Sequence, residues 1–587
     1  LSESSHSRQQ AAKVALGESP ADLAVLNATV ANVYTAELQP GQTVLVKAGK
    51  IAYAGPNGAK GVSSSTLILD ASGKTLIPGF IDGHTHMDYI ASTPEIVRYA
   101  LRSGTTSIVS ETAQLSSALG YQGVLEYLKS TRRQPVKFWI TLPPMQSISP
   151  IFRRHAVNQA QIKKLLRRPE VVGLGEVYWA PLLDGDSPQL DFIQATLAAG
   201  KQVEGHSAGA SGNKLQAYAG LGITSDHEPI TADDTLERLR LGFSVLIREG
   251  EIRRDLEAVS RIKEQKLDFR RLSVSTDGIG PIQFVSGGFM DALVRKCIRL
   301  GFPPIQAIQM ATLNVAEHFK LEYLIGGIAP GRAADLVLVP AADEIQPEVV
   351  ISDGRIVFEG GKLLVRPRTH SYPSSTRGSV HLDREFSRAD FAVPCGASSS
   401  SATVTVIDQA THLLTREVLL QLPVKKGLIE MDRQNDVIKV AAVERLNAPG
   451  KTFTGFIRGS GLKEGAIATS TCWDASDINL IGADEADMAL AVNRIHDLGG
   501  GLVLCAGGKI LGEQAFPVGG MLSEEPMEKL ADNLSRLQEK ARGLGVRSPD
   551  IRTTLSILTT GAIPYLRICE SGLFNLRNNR PVDLVVE

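Results

Sequence analysis

From residue 76 to residue 324, short apolar runs alternate with helix-patterned segments, and that alternation constrains the fold more than any other feature of the chain. TSIVS is followed by GYQGVLEYLKS, KFWITL by NQAQIKKLLRR, VVGLGEV by SPQLDFIQATLAAG, and QVEGH by NKLQAYAGLG. Successive strand–helix units set their strands side by side and parallel, and ~250 residues suffice to close eight of them into a (β/α)8 barrel of the TIM type. The rival arrangement, an open doubly wound sheet, needs a switch-point crevice, and no Gly-rich phosphate loop opens a helix here. The prediction is an α/β protein whose active site lies at the C-terminal ends of barrel strands.

The flanks read differently. At 587 residues the chain exceeds one domain, and about three or four are expected. Residues 1–22 are polar, without the apolar segment of a signal peptide, and read as a loose tail or surface helix. Residues 23–75 carry short alternating strands (LAVLNATVANV, QTVLVKAGKIAYAGP), and the same style returns over 325–370 in GRAADLVLV and EVVISDGRIVFEGGK. The simplest arrangement is one small β-sandwich formed from both flanks of the barrel. Beyond the Ser- and Pro-rich stretches RPRTHSYPSSTRGS and PCGASSSSAT, residues 371–587 form a C-terminal α+β region. Its helix MEKLADNLSRLQEKARGLG places Leu530, Leu534, Leu537 and Ala541 on one face.

Composition excludes several classes of partner. Lys and Arg total 62 against 63 Asp and Glu, a net charge of -1, so nothing draws the chain to nucleic acid or anionic lipid. No run reaches the ~18 to 20 apolar residues of a membrane span. A small-molecule partner is expected. The five cysteines, at 297, 395, 472, 505 and 569, show no CxxC pairing and fit unpaired core thiols in a reducing cytoplasm. For oligomeric state the sequence offers a homodimer only as a guess.

Chemistry enters at IPGFIDGHTHMD. Side chains alternate along a strand, so His84 and His86 share a face and can hold one metal ion. Further ligand-type residues end other apolar runs: Glu176 in VVGLGEV, His206 in QVEGHS, His227 in GITSDHE and Asp277 in LSVSTDG. Each has a plain alternative: Glu176 a surface carboxylate, His206 a satisfied core histidine, Asp277 a turn residue or N-cap. Taken together they sit at successive strand ends. A two-ion site would use His84 and His86 for the first ion, His206 and His227 for the second, and Glu176 as the bridge. Asp277 would bind the first ion and face the nucleophile. Imidazole and carboxylate donors suit manganese, iron and zinc alike.

These residues resemble the amidohydrolase superfamily and, more closely, the bacterial adenine deaminase family. The resemblance rests on PGFIDGHTHM, GLGEV, GHSAG, LGITSDHE, REG at 248–250, STDG, MATLNVAEHF, GGIAPGRAADLVLV, GLKEGAIATS and FPVGGMLS. It implies a binuclear centre of two divalent ions, Mn(2+) or Fe(2+) with Zn(2+) as a third option, on His84, His86, Glu176, His206, His227 and Asp277. The sequence departs from the family pattern in its loops. A DPHEIANV-like segment is SETAQLSS here, so a His-Glu pair becomes Ala113 and Gln114, and an AHDSHN-like motif becomes Cys472-Trp473-Asp474-Ala475-Ser476-Asp477. After Glu176 come Tyr178 and Trp179 in place of Met-Asn.

The activity so implied is hydrolysis of adenine to hypoxanthine and ammonia. Asp277 would accept the nucleophile's proton as general base, and Glu228, beside His227, would protonate a ring nitrogen. Tyr178, Trp179 and Gln114 are the candidate substrate contacts. One rival keeps the metal chemistry on another aminopurine or a cyclic amide; a second makes the chain a catalytically degenerate binding or assembly subunit.

Overall fold

A computed structural model describes residues 5–185, 187–396 and 400–586. Its middle portion is α/β. Five parallel strands, Phe80–Thr85, Thr105–Ser110, Lys137–Leu142, Val171–Tyr178 and Gln202–His206, pair in chain order. Three more, Ser225–Asp226, Ser244–Arg248 and Leu272–Ser275, form a second parallel ladder. Single backbone hydrogen bonds link the two ladders, from Thr224 N–H to the Val203 carbonyl at 2.8 Å and from Asp277 N–H to the His84 carbonyl at 3.0 Å. Every residue of Thr105–Ser110 and Val171–Tyr178 is buried, as befits strands covered on both faces.

The covering comes from the intervening helices. Thr93–Arg102 starts with Pro94 in its first turn and turns Ile96, Val97, Ala100 and Leu101 inward. Those positions make an apolar stripe at helical spacing, which is what the sequence pattern encodes.

Strands from both flanks share one nine-stranded sheet. Leu336–Val339 runs antiparallel to Thr75–Pro78, with Val337 opposite Ile77, so hydrogen bonding joins segments some 260 residues apart in the chain. Part of the polar N-terminal stretch packs on this sheet rather than hanging loose: in the helix Ser5–Ala15, Ala11 and Val14 are buried against Ala24, Leu45 and Ala52. Two small apolar residues three apart are enough to dock an otherwise polar helix.

The C-terminal region holds a ten-stranded mixed sheet around the fully buried strand Val437–Glu444. The helix Met527–Gly543 buries Leu530, Leu534, Leu537 and Ala541, the face its spacing predicts. The Arg445 guanidinium is fully buried and donates to the carbonyls of Ser379, Ser470 and Gly519. Gly520, at φ 69°, lies so close that a Cβ there would meet Arg445 Nη1 at 2.8 Å. Among the contacts that tie this region to the α/β portion, Leu522–Ser523 pairs with Ile90–Ala91, and Arg98 bonds Glu528 at 2.9 Å.

Cys297, Cys472, Cys505 and Cys569 are buried and Cys395 is half-buried, all unpaired. Among the described residues no helix is long and apolar enough to cross a membrane.

Candidate metal centre

Strand ends bring the six ligand-type residues into one buried cluster centred on Glu176. Its Oε1 lies 3.1 Å from His84 Nε2, 3.4 Å from His86 Nε2, 3.7 Å from His206 Nδ1 and 3.1 Å from His227 Nε2. Asp277 Oδ1 faces the first pair, 3.3 Å from His84 Nε2 and 3.5 Å from His86 Nε2. The donor atoms of His84, Glu176, His227 and Asp277 lie within 4.8 Å of one another, and those of His206, His227 and Glu228 form a second such group. The Nε2 atoms of His86 and His206 are buried without a hydrogen-bond partner among the described residues. Buried ring nitrogens turned toward carboxylates and otherwise unsatisfied are what a cation would complete.

Local backbone geometry helps aim the cluster. Asp277 adopts φ 54° and is followed by Gly278 at φ 118°. A short polar side chain tolerates the left-handed region better than most, so the turn after Leu272–Ser275 can point a carboxylate back at the strand ends.

The electrostatics call for positive charge. Burial would raise Glu176, but His86, His206, His227 and His84 outweigh it and hold the carboxyl well below its usual range. Burial would likewise raise Asp277, and His84, His86 and Arg248 hold it well down. In return, although burial opposes charge on His84, contacts with Asp277 and Glu176 lift it to about 10; His206 is lifted to about 9 against burial by Glu228 and Glu176. Burial and the neighbouring His84 push His227 the other way, downward. Four imidazoles therefore cluster around two ionised carboxylates.

Glu228 sits beside this group, its Oε1 3.4 Å from His206 Nε2 and 3.6 Å from His227 Nε2. It is paired through both oxygens with Arg248, which also lies 3.0 Å from Asp255 and 3.4 Å from Asp277. Burial would raise the Glu228 carboxyl, yet Arg248 and the histidines bring it down to about 2. The sequence marks Arg248 only as the first residue of REG, at the end of the apolar strand Ser244–Arg248, and assigns it no role; the structure shows what it pairs with.

A cavity of about 400 Å³ opens over the cluster, within the usual range for small-molecule sites. Glu176, His206, Glu228, Arg248 and Asp277 form its floor, while Leu413, Leu414, Trp473, Ala562 and Tyr565 from the C-terminal region form its roof. Trp473 packs its ring on His86 with centroids 4.9 Å apart. None of the three candidate substrate contacts lines this cavity. Tyr178 donates its hydroxyl to Asp474 at 2.9 Å, Trp179 donates to the Ala208 carbonyl at 2.8 Å, and Gln114 Oε1 sits 3.1 Å from His86 Nδ1. Their polar atoms serve protein contacts; the Tyr178 ring packs edge-on against His206 with centroids 5.3 Å apart, while Trp473 and Tyr565 are the aromatic residues that line the cavity.

Fold and site together define a metal-dependent hydrolase, and a model of the amidohydrolase family matches residues 75–357. A model of the adenine deaminase C-terminal domain matches residues 412–580. An adenine deaminase 3 of Rhizobium meliloti (strain 1021) is 35% identical over 581 residues, covering 98% of each chain. An adenine deaminase of Cenarchaeum symbiosum (strain A) is 33% identical, covering 99% of this chain and 95% of its own. One of Moorella thermoacetica is 34% identical over 97% of each. The chain belongs to the adenine deaminase family. Amidohydrolase membership implies a divalent metal centre, and the donor set around Glu176 suits one.

The roof yields a prediction. Trp473→Ala should leave bound metal unchanged and raise KM for a purine about threefold to tenfold, because a lost stacking surface costs ~0.5 to 1.5 kcal/mol. Steady-state kinetics with metal analysis would check it; an unchanged KM would remove Trp473 from the binding surface.

Proposed function

We propose that this protein hydrolyses adenine to hypoxanthine and ammonia at a binuclear site, with the eight parallel strands closed into a (β/α)8 barrel whose strand ends carry the ligands. Residues 23–75 and 325–370 would form the flanking β unit and 371–587 the C-terminal region. The observation that carries the reading is the approach of four imidazoles to one oxygen of Glu176, in a chain whose full-length relatives are named adenine deaminases.

In this reading His84, His86 and Asp277 hold one divalent ion, His206 and His227 the other, and Glu176 lies between them. Bound there, the ions would supply Lewis acidity and make hydroxide accessible near neutral pH. Overall, a C–O bond forms at the amine-bearing ring carbon, the C–N bond breaks, and ammonia leaves. Asp277, held ionised, accepts a proton at its carboxylate and returns it to the departing amine. Glu228 rests ionised against Arg248, so it serves as a proton carrier: it must take up the proton that it delivers to the ring nitrogen. Arg248 keeps both carboxylates aimed at the cavity. Loop residues of the C-terminal region exclude water and present Trp473 as a flat surface.

Activity on adenine after separate reconstitution with Mn(2+), Fe(2+) and Zn(2+) tests the proposal. Release of equimolar ammonia and hypoxanthine is expected. Ring opening of a cyclic amide without ammonia would favour the same chemistry on a different substrate, and a metal-replete protein inert toward purines and cyclic amides alike would make the chain a binding subunit.

A further inference from the structure

Outside the cluster itself, one buried carboxylate has no evident structural purpose. Glu111 follows the strand Thr105–Ser110 directly, its N–H donates to the Thr85 carbonyl at 2.9 Å, and its side chain is 1% exposed. Neither carboxylate oxygen meets full hydrogen-bond geometry among the described residues, the Thr141 side chain being the polar group beside it. A buried carboxyl group left this way is costly, and packing alone does not account for it.

Room for it is provided specifically. Gly175, one residue before Glu176, lacks the Cβ that would otherwise meet Glu111 Oε2 at 1.9 Å. The nearest ring nitrogen is informative: Glu111 Oε1 lies 3.6 Å from His84 Nδ1, while the other nitrogen of that ring, Nε2, faces Glu176 and Asp277. His86 repeats the pattern. Its Nε2 faces the same two carboxylates, and its Nδ1 lies 3.1 Å from Gln114 Oε1. For either Nε2 to offer a lone pair to a cation, Nδ1 must carry the ring proton, and that N–H needs an acceptor. The segment 111–115 is pinned for the task, with Thr112 Oγ1 donating to the Thr141 carbonyl at 2.8 Å and Leu115 N–H to Asp88 at 2.8 Å.

We propose that Glu111 and Gln114 are positioning residues of the metal centre, accepting the Nδ1 protons of His84 and His86 and so turning both Nε2 atoms toward the ion those histidines share. The inference rests on the binuclear reading above and deepens it. It also assigns the altered loop SETAQLSS to metal binding rather than to substrate. A carboxyl group stands behind His84 and an amide behind His86.

The test is Mn(2+) uptake by the full chain, measured by competition with a chelator, together with the melting temperature of the protein before loading. Glu111→Gln should weaken one of the two Mn(2+) sites about tenfold to a hundredfold, the range found when such an acceptor is lost. At limiting Mn(2+) its stoichiometry should fall toward one while the other site is kept. Before loading it should melt no lower than the wild type, because the replaced carboxyl group makes no hydrogen bond that the fold depends on. Glu111→Asp should recover part of the affinity. Gln114→Glu, which puts a carboxylate behind His86, should tighten the same site.

Unchanged Mn(2+) affinity in Glu111→Gln, with the wild type taking up two ions, would overturn this proposal and leave the binuclear reading standing. A Glu111→Gln protein that melts lower before loading and loses both ions together would make Glu111 a packing residue and overturn it as well. A wild type that binds fewer than two Mn(2+) would overturn the binuclear reading and this proposal with it.

Discussion

Glu176→Gln is expected to cut bound metal from about two ions per chain and lower turnover by about a thousandfold or more, since each ion contributes several kcal/mol of charge stabilisation and 1.4 kcal/mol is a factor of ten. The geometry leaves little to compensate. One oxygen of Glu176 stands 3.1 to 3.7 Å from all four imidazoles, and those contacts hold its carboxyl ionised against burial. In the binuclear reading an amide of the same shape would bring no charge to the ions, and one of its two positions becomes a donor. Metal analysis beside a kcat measurement decides the matter. A Glu176→Gln protein that is active and fully loaded would refute the bridging assignment.

Glu228→Gln should behave differently, leaving metal content intact while lowering kcat by about 10² to 10⁴, the usual worth of a positioned proton transfer, with a much smaller change in KM. Arg248 would lose its pairing with Glu228 but keep Asp255 at 3.0 Å and Asp277 at 3.4 Å, so the guanidinium should stay in place. Because Glu228 rests ionised with a pKa of about 2, the loss is that of a carboxylate able to take up and hand on a proton. If the variant raises KM and spares kcat, Glu228 contacts substrate without moving protons.

Legibility in the sequence followed the range of the interactions. Strand-end residues could be read because the β-strand period of two and the alternation of strands with helices are local signals that place side chains without tertiary information. His84, His86, Glu176, His206, His227 and Asp277 were found in that way, and the structure gathers them around one carboxylate oxygen. Glu111 and Arg248 also stand at strand ends, inside the motifs SETAQLSS and REG, but a lone carboxylate or guanidinium carries no ligand signature, so their roles are not legible from position alone. The helix Met527–Gly543 was legible from spacing, whereas the docking of Ser5–Ala15 depended on a sheet surface supplied by Ala24, Leu45 and Ala52.

The proposed substrate contacts show where local reading stops. Tyr178 and Trp179 follow Glu176 directly and are aromatic, yet their polar atoms are taken by Asp474 and the Ala208 carbonyl. The aromatic residues lining the cavity are Trp473 and Tyr565, nearly 300 residues or more further along the chain. The alternation of strands with helices, the helix faces and the ligand types at strand ends were determined by the sequence alone, because each depends on neighbours a few positions away. The tertiary structure decided which nitrogen of each histidine faces the carboxylates, which residues stand behind those rings, and which loop roofs the cavity. Those features depend on contacts between segments whose separation in sequence carries no periodic signal, and only the packed fold brings them together.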